Sequence, residues 1–261
     1  MTNLPSGNEY CVIAAVNNDD VLALNLERSS VFKNNPHYLM RDYNSAGKAY
    51  NCGIDKSESE ILIFAHQDVY FPVGWENKLS QEISNIEKED QNWAVIGVYG
   101  IDLSGAHVGH CWSTGLGRVI GSNFYSSRKV ISIDELVIII RRSSGLRFDE
   151  NLPGFHLYGT DIVQSANAIG LHAYVIDAPV VHNSSPVISL RGRYQDAYSY
   201  MRKKWIKKLP LNTVIVKVTK TGWPLTKQIL KMAFNRYIRR RIPIAQPTYT
   251  GSEIAKRVGF E

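Results

Sequence analysis

The stretch Ile61-Leu62-Ile63-Phe64-Ala65-His66-Gln67-Asp68-Val69 is a short apolar run that ends in polar residues. An apolar run of this length, without polar alternation, is typical of a strand that is buried on both faces. The chain contains several comparable runs, and the segments between them have the residue spacing of helices; the apolar runs are 10–16, 93–99 and 132–142, and the helical segments are 45–54, 77–89 and 161–170. This alternation predicts an α/β fold with a mostly parallel sheet flanked by helices.

Polar residues at the ends of these strands are the first candidates for a functional site, because ligands of such sheets bind beyond the carboxyl ends of the strands. The residues in question are 17–19, 42–45 and 66–68. In the last group, the carboxylate of Asp68 could hold a hard divalent cation, and such a cation can also bind a diphosphate. The alternative is that Asp68 only caps a turn or the next helix.

Two further residues are candidates for chemistry. Asp161 follows the mixed aromatic and polar stretch 154–160 at a predicted helix start, where it could act as a general base on a hydroxyl or simply cap the helix. His182 follows an apolar strand, and it is a metal ligand only if the fold brings it to Asp68. Otherwise it is a hydrogen-bonding residue of the structure.

The sequence gives little support for a zinc site, a dinucleotide-binding site or a hydrolase nucleophile. His107, His110 and Cys111 are possible zinc ligands, but their spacing matches no zinc motif. The pair Gly115 and Gly117 is not followed by the rest of a dinucleotide fingerprint. The sequence also lacks a phosphate-binding Gly-x-x-x-x-Gly-Lys-Ser/Thr motif and a Gly-x-Ser-x-Gly nucleophile elbow.

The cysteines and the hydropathy indicate the compartment. Cys11, Cys52 and Cys111 are odd in number and far apart, which favours reduced thiols over a disulfide framework. No apolar run approaches the roughly 18 residues that a membrane span needs. The N-terminus lacks the basic and apolar segments of a signal peptide. We therefore expect a cytoplasmic protein.

Charge is divided unevenly along the chain. From Arg191 onward there are 17 Lys and Arg against 3 Asp and Glu, a net charge of +14, whereas the residues before Arg191 hold 13 against 21. Such asymmetry points to an anionic partner for the C-terminal part. Because the segments after Pro186 are basic and have helical residue spacing, we predict two domains: residues 1–186 as an acidic body and residues 187–261 as a basic, mainly helical extension.

The order of these features resembles the GT-A-fold glycosyltransferases, particularly the bacterial branch of the large inverting family 2. Residues 12–19 resemble its first strand and nucleotide-contacting loop, and residues 46–53 resemble the short helix before its metal strand. His66-Gln67-Asp68 stands where the family has Asp-x-Asp, and His182 stands at its late metal-ligand position. The stretch 147–161 resembles the acceptor-side segment that ends in the catalytic carboxylate. The likeness covers residues 10–186.

The resemblance implies a metal-assisted, inverting transfer of a sugar from a nucleoside diphosphate sugar, expected to be a UDP-sugar, in polysaccharide biosynthesis. The acceptor would be a hydroxyl of a glycan or of a lipid-linked molecule. Asp68 and His182 would hold Mn²⁺ or Mg²⁺, and Asp161 would be the general base. The residues expected to contact the donor are Val16, Asn17, Asn18, Asn51, His66, Gln67 and Asp68. The chain departs from the family pattern in two places, since His66 replaces an acidic residue and only Thr160-Asp161 remains of the acidic pair at the base position.

Three other functions compete with this one. A nucleotidyltransferase is disfavoured because residues 16–19 contain no glycine. A degenerate glycosyltransferase that binds its donor without reacting is kept open by His66. A basic-tailed nucleic-acid binder would show steeply salt-dependent affinity, but the chain contains no nucleic-acid-binding motif and its body is acidic. The basic segments 202–208 and 225–241 could lie on an anionic membrane at its inner face, pack on the body, or form an oligomer contact.

Overall fold

The computed structural model of the chain describes residues 10–238 and 249–261, which form twelve strands and eight α-helices. The strands are β1 Tyr10–Val16, β2 His37–Arg41, β3 Ile61–His66, β4 Val69–Tyr70, β5 Trp93–Gly97, β6 Tyr99–Asp102, β7 His107–Ser113, β8 Arg118–Gly121, β9 Arg128–Ile133, β10 Val137–Arg141, β11 His172–Val175 and β12 Val180–His182. The helices are α1 Asp19–Leu24, α2 Ser30–Asn34, α3 Ala46–Lys56, α4 Trp75–Glu89, α5 Tyr158–Ala168, α6 Arg193–Lys204, α7 Trp223–Ile238 and α8 Gly251–Arg257.

The strands form one sheet in the order β2-β1-β3-β10-β5-β11-β9-β6-β7-β12-β4, with β8 paired to β7. The α/β class is confirmed, but the sheet is mixed rather than mostly parallel. Strands β2, β1 and β3 are parallel neighbours, and so are β5 and β11. Strand β10 runs antiparallel between β3 and β5. The apolar content of β10 predicts burial in the sheet, whereas its direction depends on the path of the preceding chain.

Helices cover both faces of the central strands, because successive side chains of a strand point to opposite sides. Leu62 and Phe64 of β3 lie in one core with residues of α3, α5 and α6. Ile63, between them in sequence, lies in the other core with residues of α1 and α4. The uninterrupted apolar run of β3 therefore serves two separate layers.

The segment between Gly100 and Arg128 is rich in Gly and Ser, a composition typical of a long loop or an irregular ribbon. Instead it contains most of β6 together with β7 and β8, which pair as antiparallel neighbours. Glycines allow the tight approach of these strands. Gly109 has φ 133°, and a Cβ atom there would lie 2.4 Å from the carbonyl oxygen of Val98. The high glycine content therefore reflects close strand packing in this region.

The predicted division at residue 186 does not coincide with a boundary between hydrophobic cores. The described residues after 186 include α6, α7 and α8, and side chains such as Tyr194, Tyr198, Met201 and Leu225 belong to the same core as α3 and α5. The last helix, α8, packs on β4 and β12, where Ile254 and Ala255 contact the core around Tyr70 and Val181. The described C-terminal residues are thus part of the body. The end of the basic segment 225–241 lies outside the described residues.

Among the residues that the structure describes, no helix is both long and apolar enough to cross a membrane.

Candidate active site

His66, Asp68 and His182 meet at one edge of the sheet. His66 is the last residue of β3, and Asp68 follows two residues later, just before β4. Strand β12 pairs antiparallel with β4 so that His182 lies opposite Val69. In addition, the backbone amide of Asn183 donates to the carbonyl oxygen of Asp68 over 2.8 Å. These backbone contacts hold the two segments in the register that brings the side chains together.

The geometry of the three side chains fits a metal site. The Nε2 atom of His182 lies 3.4 Å from Oδ1 of Asp68, and Nδ1 of His66 lies 3.9 Å from the same oxygen. One ligand atom from each residue falls within 4.8 Å of the other two. Oδ1 of Asp68 is buried, and no hydrogen-bond partner for it exists within the described part of the chain. Two imidazoles and a carboxylate are suitable ligands for a divalent cation, and three protein ligands leave further positions open.

The charges of the cluster are interdependent. Burial acts to raise the pKa of Asp68, but the facing imidazoles of His182 and His66 outweigh it and lower the pKa to about 2. Burial acts to lower the pKa of His182, yet the Asp68 carboxylate raises it above its usual value. For His66, burial prevails and lowers the pKa despite Asp68. The site therefore holds an ionised carboxylate beside two imidazoles of different basicity.

Gln67 ties the ends of two neighbouring strands together. Its Oε1 atom accepts hydrogen bonds from the backbone amides of Asn17 and Asn18 over 3.0 and 3.1 Å, and its Nε2 donates to Oδ1 of Asn17 over 2.6 Å. The side chain of Asn18 accepts a hydrogen bond from the backbone amide of Val21 and thereby caps α1. The structure thus brings Asn17, Asn18 and Gln67 together beside the His/Asp cluster.

Two of the predicted donor-contacting residues have other roles in the structure. The side chain of Val16 is buried in the core, so only its backbone borders the site. The side-chain Nδ2 of Asn51 donates to the backbone carbonyl of Phe148 and to Oε1 of Glu150. Its Oδ1 accepts from the backbone amide of Phe148. Asn51 therefore holds α3 against the loop before α5. Its side-chain hydrogen bonds are directed to that loop.

Asp161 lies in the first turn of α5 and is only 2% exposed. Its Oδ2 accepts from Nζ of Lys204 over 2.8 Å, and its Oδ1 accepts from Nε1 of Trp205 over 2.7 Å. Burial raises the pKa of Asp161 even though Lys204 and Trp205 oppose that change. Both carboxylate oxygens are therefore engaged by residues that follow α6 or end it. Asp161 is not the helix cap, because α5 begins at Tyr158.

Glu135 is an acidic residue of this region that the sequence analysis did not single out. Burial and the neighbouring Asp134 raise the pKa of Glu135 to about 8, although the backbone amides of Gly159 and Leu157 act to lower it. Those amides belong to the start of α5, where Leu157 adopts a left-handed backbone with φ 63°. The pair Asp134-Glu135 follows β9 and stands just before the apolar run that forms β10. Acidic residues between two strands were the feature of the sequence that could have indicated this site.

Tyr158 connects Glu135 to the His/Asp cluster. Its hydroxyl lies 2.8 Å from Nε2 of His66 and donates to the backbone carbonyl of Glu135 over 3.2 Å. The backbone amide of His66 also donates to the carbonyl of Leu136 over 3.1 Å. The segment 134–136 and the start of α5 therefore line the same end of the sheet as the cluster.

Comparison with known proteins identifies the family. A family model described as "Glycosyltransferase like family" matches residues 11–209, so the chain belongs to that family. This confirms the resemblance seen in the sequence, and the match continues beyond residue 186 through α6. A protein of Fuscovulum blasticum named "ATP synthase subunits region ORF 6" is 27% identical over 133 residues, which cover 49% of this chain and 53% of that protein. The chain thus spans about half the length of this curated relative.

Solved structures with a similar arrangement are more distant. GalNAc-T7 with UDP, GalNAc and Mn²⁺ is 12% identical with a TM-score of 0.47, covering 80% of this chain and 52% of that chain. Staphylococcus aureus TarS residues 1–349 with UDP-GlcNAc is 14% identical with a TM-score of 0.46, covering 88% and 74%. The mannosyltransferase PcManGT of Pyrobaculum calidifontis with GDP-Man and Mn²⁺ is 11% identical with a TM-score of 0.45, covering 92% and 66%. Likenesses at this level assign no residue or ligand in the present chain.

Proposed function

We propose that this protein is a glycosyltransferase that moves a sugar from a nucleoside diphosphate sugar to a hydroxyl of a glycan or of a lipid-linked acceptor. The observation that carries the proposal is the convergence of His66, Asp68 and His182 at the sheet edge, in a chain of a glycosyltransferase-like family. The expected donor is a UDP-sugar. We also propose a cytoplasmic location, which the three free cysteines support.

His66, Asp68 and His182 would hold the divalent cation, either Mn²⁺ or Mg²⁺. Imidazole ligands favour Mn²⁺, because Mg²⁺ prefers oxygen ligands and keeps its waters. When bound, the cation would offset the negative charge that develops on the leaving diphosphate. Tyr158 fixes the ring of His66 through its hydroxyl, and Asn183 fixes the backbone of Asp68. A site held by such contacts keeps its geometry with little reorganisation.

Donor binding would fall to the polar groups next to the cluster. Asn17, Asn18 and Gln67 lie at the ends of β1 and β3, where the base or ribose would bind. Because Gln67 already holds Asn17 in place, these groups are arranged before the ligand arrives. Pre-arranged hydrogen-bonding groups lower the entropy lost on binding.

The acceptor hydroxyl must lose a proton as it attacks the anomeric carbon, and direct attack would invert that carbon. Asp161 stays a predicted general base, but it would first have to exchange its contacts with Lys204 and Trp205. Glu135 makes no ion pair with a cation in the described part of the chain, and burial raises its pKa to about 8. A base works best when its pKa lies near the working pH. We therefore propose Glu135 as the stronger candidate for proton acceptor.

A thermal-shift titration of the full chain with UDP, GDP, CDP and their sugars, each with and without Mn²⁺, tests the donor site. A ligand that binds only the folded state raises the unfolding temperature by mass action. We expect a shift with one nucleotide that requires Mn²⁺ and that Asp68→Asn abolishes. No shift with any nucleotide under either condition would overturn the proposal.

A degenerate, non-reacting member of the family is the second candidate function. It is favoured by the engagement of both oxygens of Asp161. A degenerate protein would bind the nucleotide and Mn²⁺ in the same titration. It would show no hydrolysis of the donor and no transfer to any hydroxyl acceptor.

A further inference from the structure

Helix α7 carries apolar side chains on two opposite faces. Leu225, Ile229 and Met232 face inward and pack against the main core. On the other side, Trp223, Leu230 and Phe234 are 62%, 56% and 64% exposed. These three residues are spaced by seven and four positions, so they lie along one stripe of the helix. We call Trp223, Leu230 and Phe234 the outer stripe.

Positive charge borders the outer stripe. Lys227 and Lys231 are exposed. They lie one turn apart, on the side of the helix next to the outer stripe. The surrounding chain is unusual, because the sequence between Asp196 and Glu253 contains thirteen Lys and Arg and no Asp or Glu. Any partner of this face therefore meets apolar groups and positive charges with no carboxylate from the same segment.

This combination matches the surface of an anionic lipid bilayer. A helix that lies in the membrane interface buries Trp, Phe and Leu near the headgroups and keeps Lys beside them for anionic lipids. Tryptophan favours that boundary because its ring is apolar and its N–H is polar. Single-stranded nucleic acid would bind the lysines through its phosphates and stack its bases on the aromatic rings. Leu230, which lies between the two rings, would then have no role. We propose that the outer stripe of α7 docks the protein on an anionic membrane surface.

This docking is independent of the donor site. Asp68 and His182 lie at the edge formed by β4 and β12, whereas α7 packs on the core cluster shared with α3 and α5. Variants of the outer stripe are therefore expected to bind nucleotide and Mn²⁺ as the wild type does. A failure of membrane docking and a failure of the proposed function would then be seen in separate assays.

Co-sedimentation of the full chain with vesicles tests the proposal. One set of vesicles contains phosphatidylcholine alone, and the other contains phosphatidylcholine with about a third phosphatidylglycerol, a content chosen to give a strongly anionic surface. We expect binding to the anionic vesicles that weakens as salt rises. Phe234→Ser and Lys227→Glu should each lower the partition coefficient about ten-fold. Leu103→Ser is the matched control, because Leu103 is 69% exposed but lies outside α7, and it should bind as the wild type does.

Several outcomes would overturn the proposal. They are absence of binding to anionic vesicles, an equal loss in Leu103→Ser, and binding that Phe234→Ser leaves unchanged. A further contrary outcome is that the protein binds single-stranded oligonucleotides and not vesicles, and that substitution of Trp223 or Phe234 lowers this oligonucleotide binding. A dimer in solution that Phe234→Ser converts to monomer, without lipid binding, would assign the outer stripe to a second copy of the chain. Circular dichroism and the thermal shift with Mn²⁺ confirm that each variant is folded.

Discussion

The Nε2 atom of His182 lies 3.4 Å from Oδ1 of Asp68, although the two residues belong to distant parts of the chain. The contact depends on the pairing of β12 with β4, which sets His182 opposite Val69. It is reinforced by Asn183, whose side-chain amide donates to Oδ1 of Asn25 and to the backbone carbonyl of Tyr249 over 2.9 and 2.8 Å. The C-terminal residues after 248 therefore help to hold the strand that carries His182.

Removal of the Asp68 charge should abolish high-affinity metal binding. We expect Asp68→Asn to lower Mn²⁺ affinity at least 100-fold, because the neutral amide is a poor ligand and the two imidazoles remain without a carboxylate. Isothermal titration calorimetry with Mn²⁺ measures this. Asp177→Asn is the matched control, since Asp177 also faces a histidine, with Oδ1 3.5 Å from Nδ1 of His110. An equal loss in both variants would show that the cluster is not the metal site.

Glu135→Gln should lower kcat by about 10²–10⁴-fold, the usual contribution of a general base, while donor affinity stays close to that of the wild type. The pKa of Glu135 is raised to about 8, and the residue accepts a proton only when ionised. The wild-type kcat should therefore rise with pH up to about 8 and then level off. The variant should lose this rising limb. The measurement is a pH series of initial rates at saturating donor.

Asp161→Asn distinguishes the two candidate bases. If Glu135 is the base, Asp161→Asn lowers the unfolding temperature, because Lys204 and Trp205 lose a charged acceptor, and the folded fraction keeps most of its kcat. A fall of kcat to the level of Glu135→Gln, with donor affinity intact and no loss of stability, would restore Asp161 as the base. Rates are to be compared at a temperature where both variants are fully folded.

Lys204 joins α6 to the half-buried carboxylate of Asp149 and the buried carboxylate of Asp161. Its Nζ lies 2.7 Å from Oδ2 of Asp149 and 2.8 Å from Oδ2 of Asp161, and its own side chain is 25% exposed. We expect Lys204→Met to lower the free energy of unfolding by about 2 kcal/mol, measured by urea denaturation, since hydrogen bonds to charged groups contribute on that order. Lys203→Met is the control, because Lys203 makes no ion pair within the described part of the chain. Equal stability of the two variants would contradict the assignment.

Asp90 should make stability depend on pH. It accepts from the hydroxyl of Tyr174 and from Nδ1 of His172, each over 2.6 Å, and lies 3.1 Å from Nζ of Lys129. Burial acts to raise the pKa of Asp90, but these partners outweigh it and hold the pKa well below its ordinary range. A carboxyl whose pKa is lower in the folded state stabilises the fold above the unfolded-state pKa of about 4, and the effect is lost as the pH falls through the folded-state value.

The corresponding variant is Asp90→Asn. We expect it to be less stable than the wild type at pH 7, and the difference should shrink steadily below pH 4. Urea denaturation between pH 3 and pH 7 measures this. Asp20→Asn, at an exposed position, serves as the control. A constant difference for Asp90→Asn would contradict the prediction.

The sequence indicated most of the central strands and the polar residues at their ends. The apolar run before His66 predicts a buried strand, and β3 occupies Ile61–His66. Helix α3 and helix α4 lie within two residues of the predicted bounds. Such features are visible because the burial of a segment leaves a periodic or continuous apolar pattern in its own residues. The residue types at the strand ends likewise singled out Asp68 and Gln67.

What the sequence alone determined is therefore local: which segments are buried, which residues end them, and that an acidic body precedes a basic C-terminal part. Only the tertiary structure decided that β10 runs antiparallel, that residues after 186 complete the main core, and that Asp161 is bound by Lys204 and Trp205. It also brought Glu135 to the start of α5. The physical reason is that a local pattern records how a residue meets water, whereas strand direction and ion pairing depend on which distant segments meet, and hydrogen bonds act only across about 3 Å.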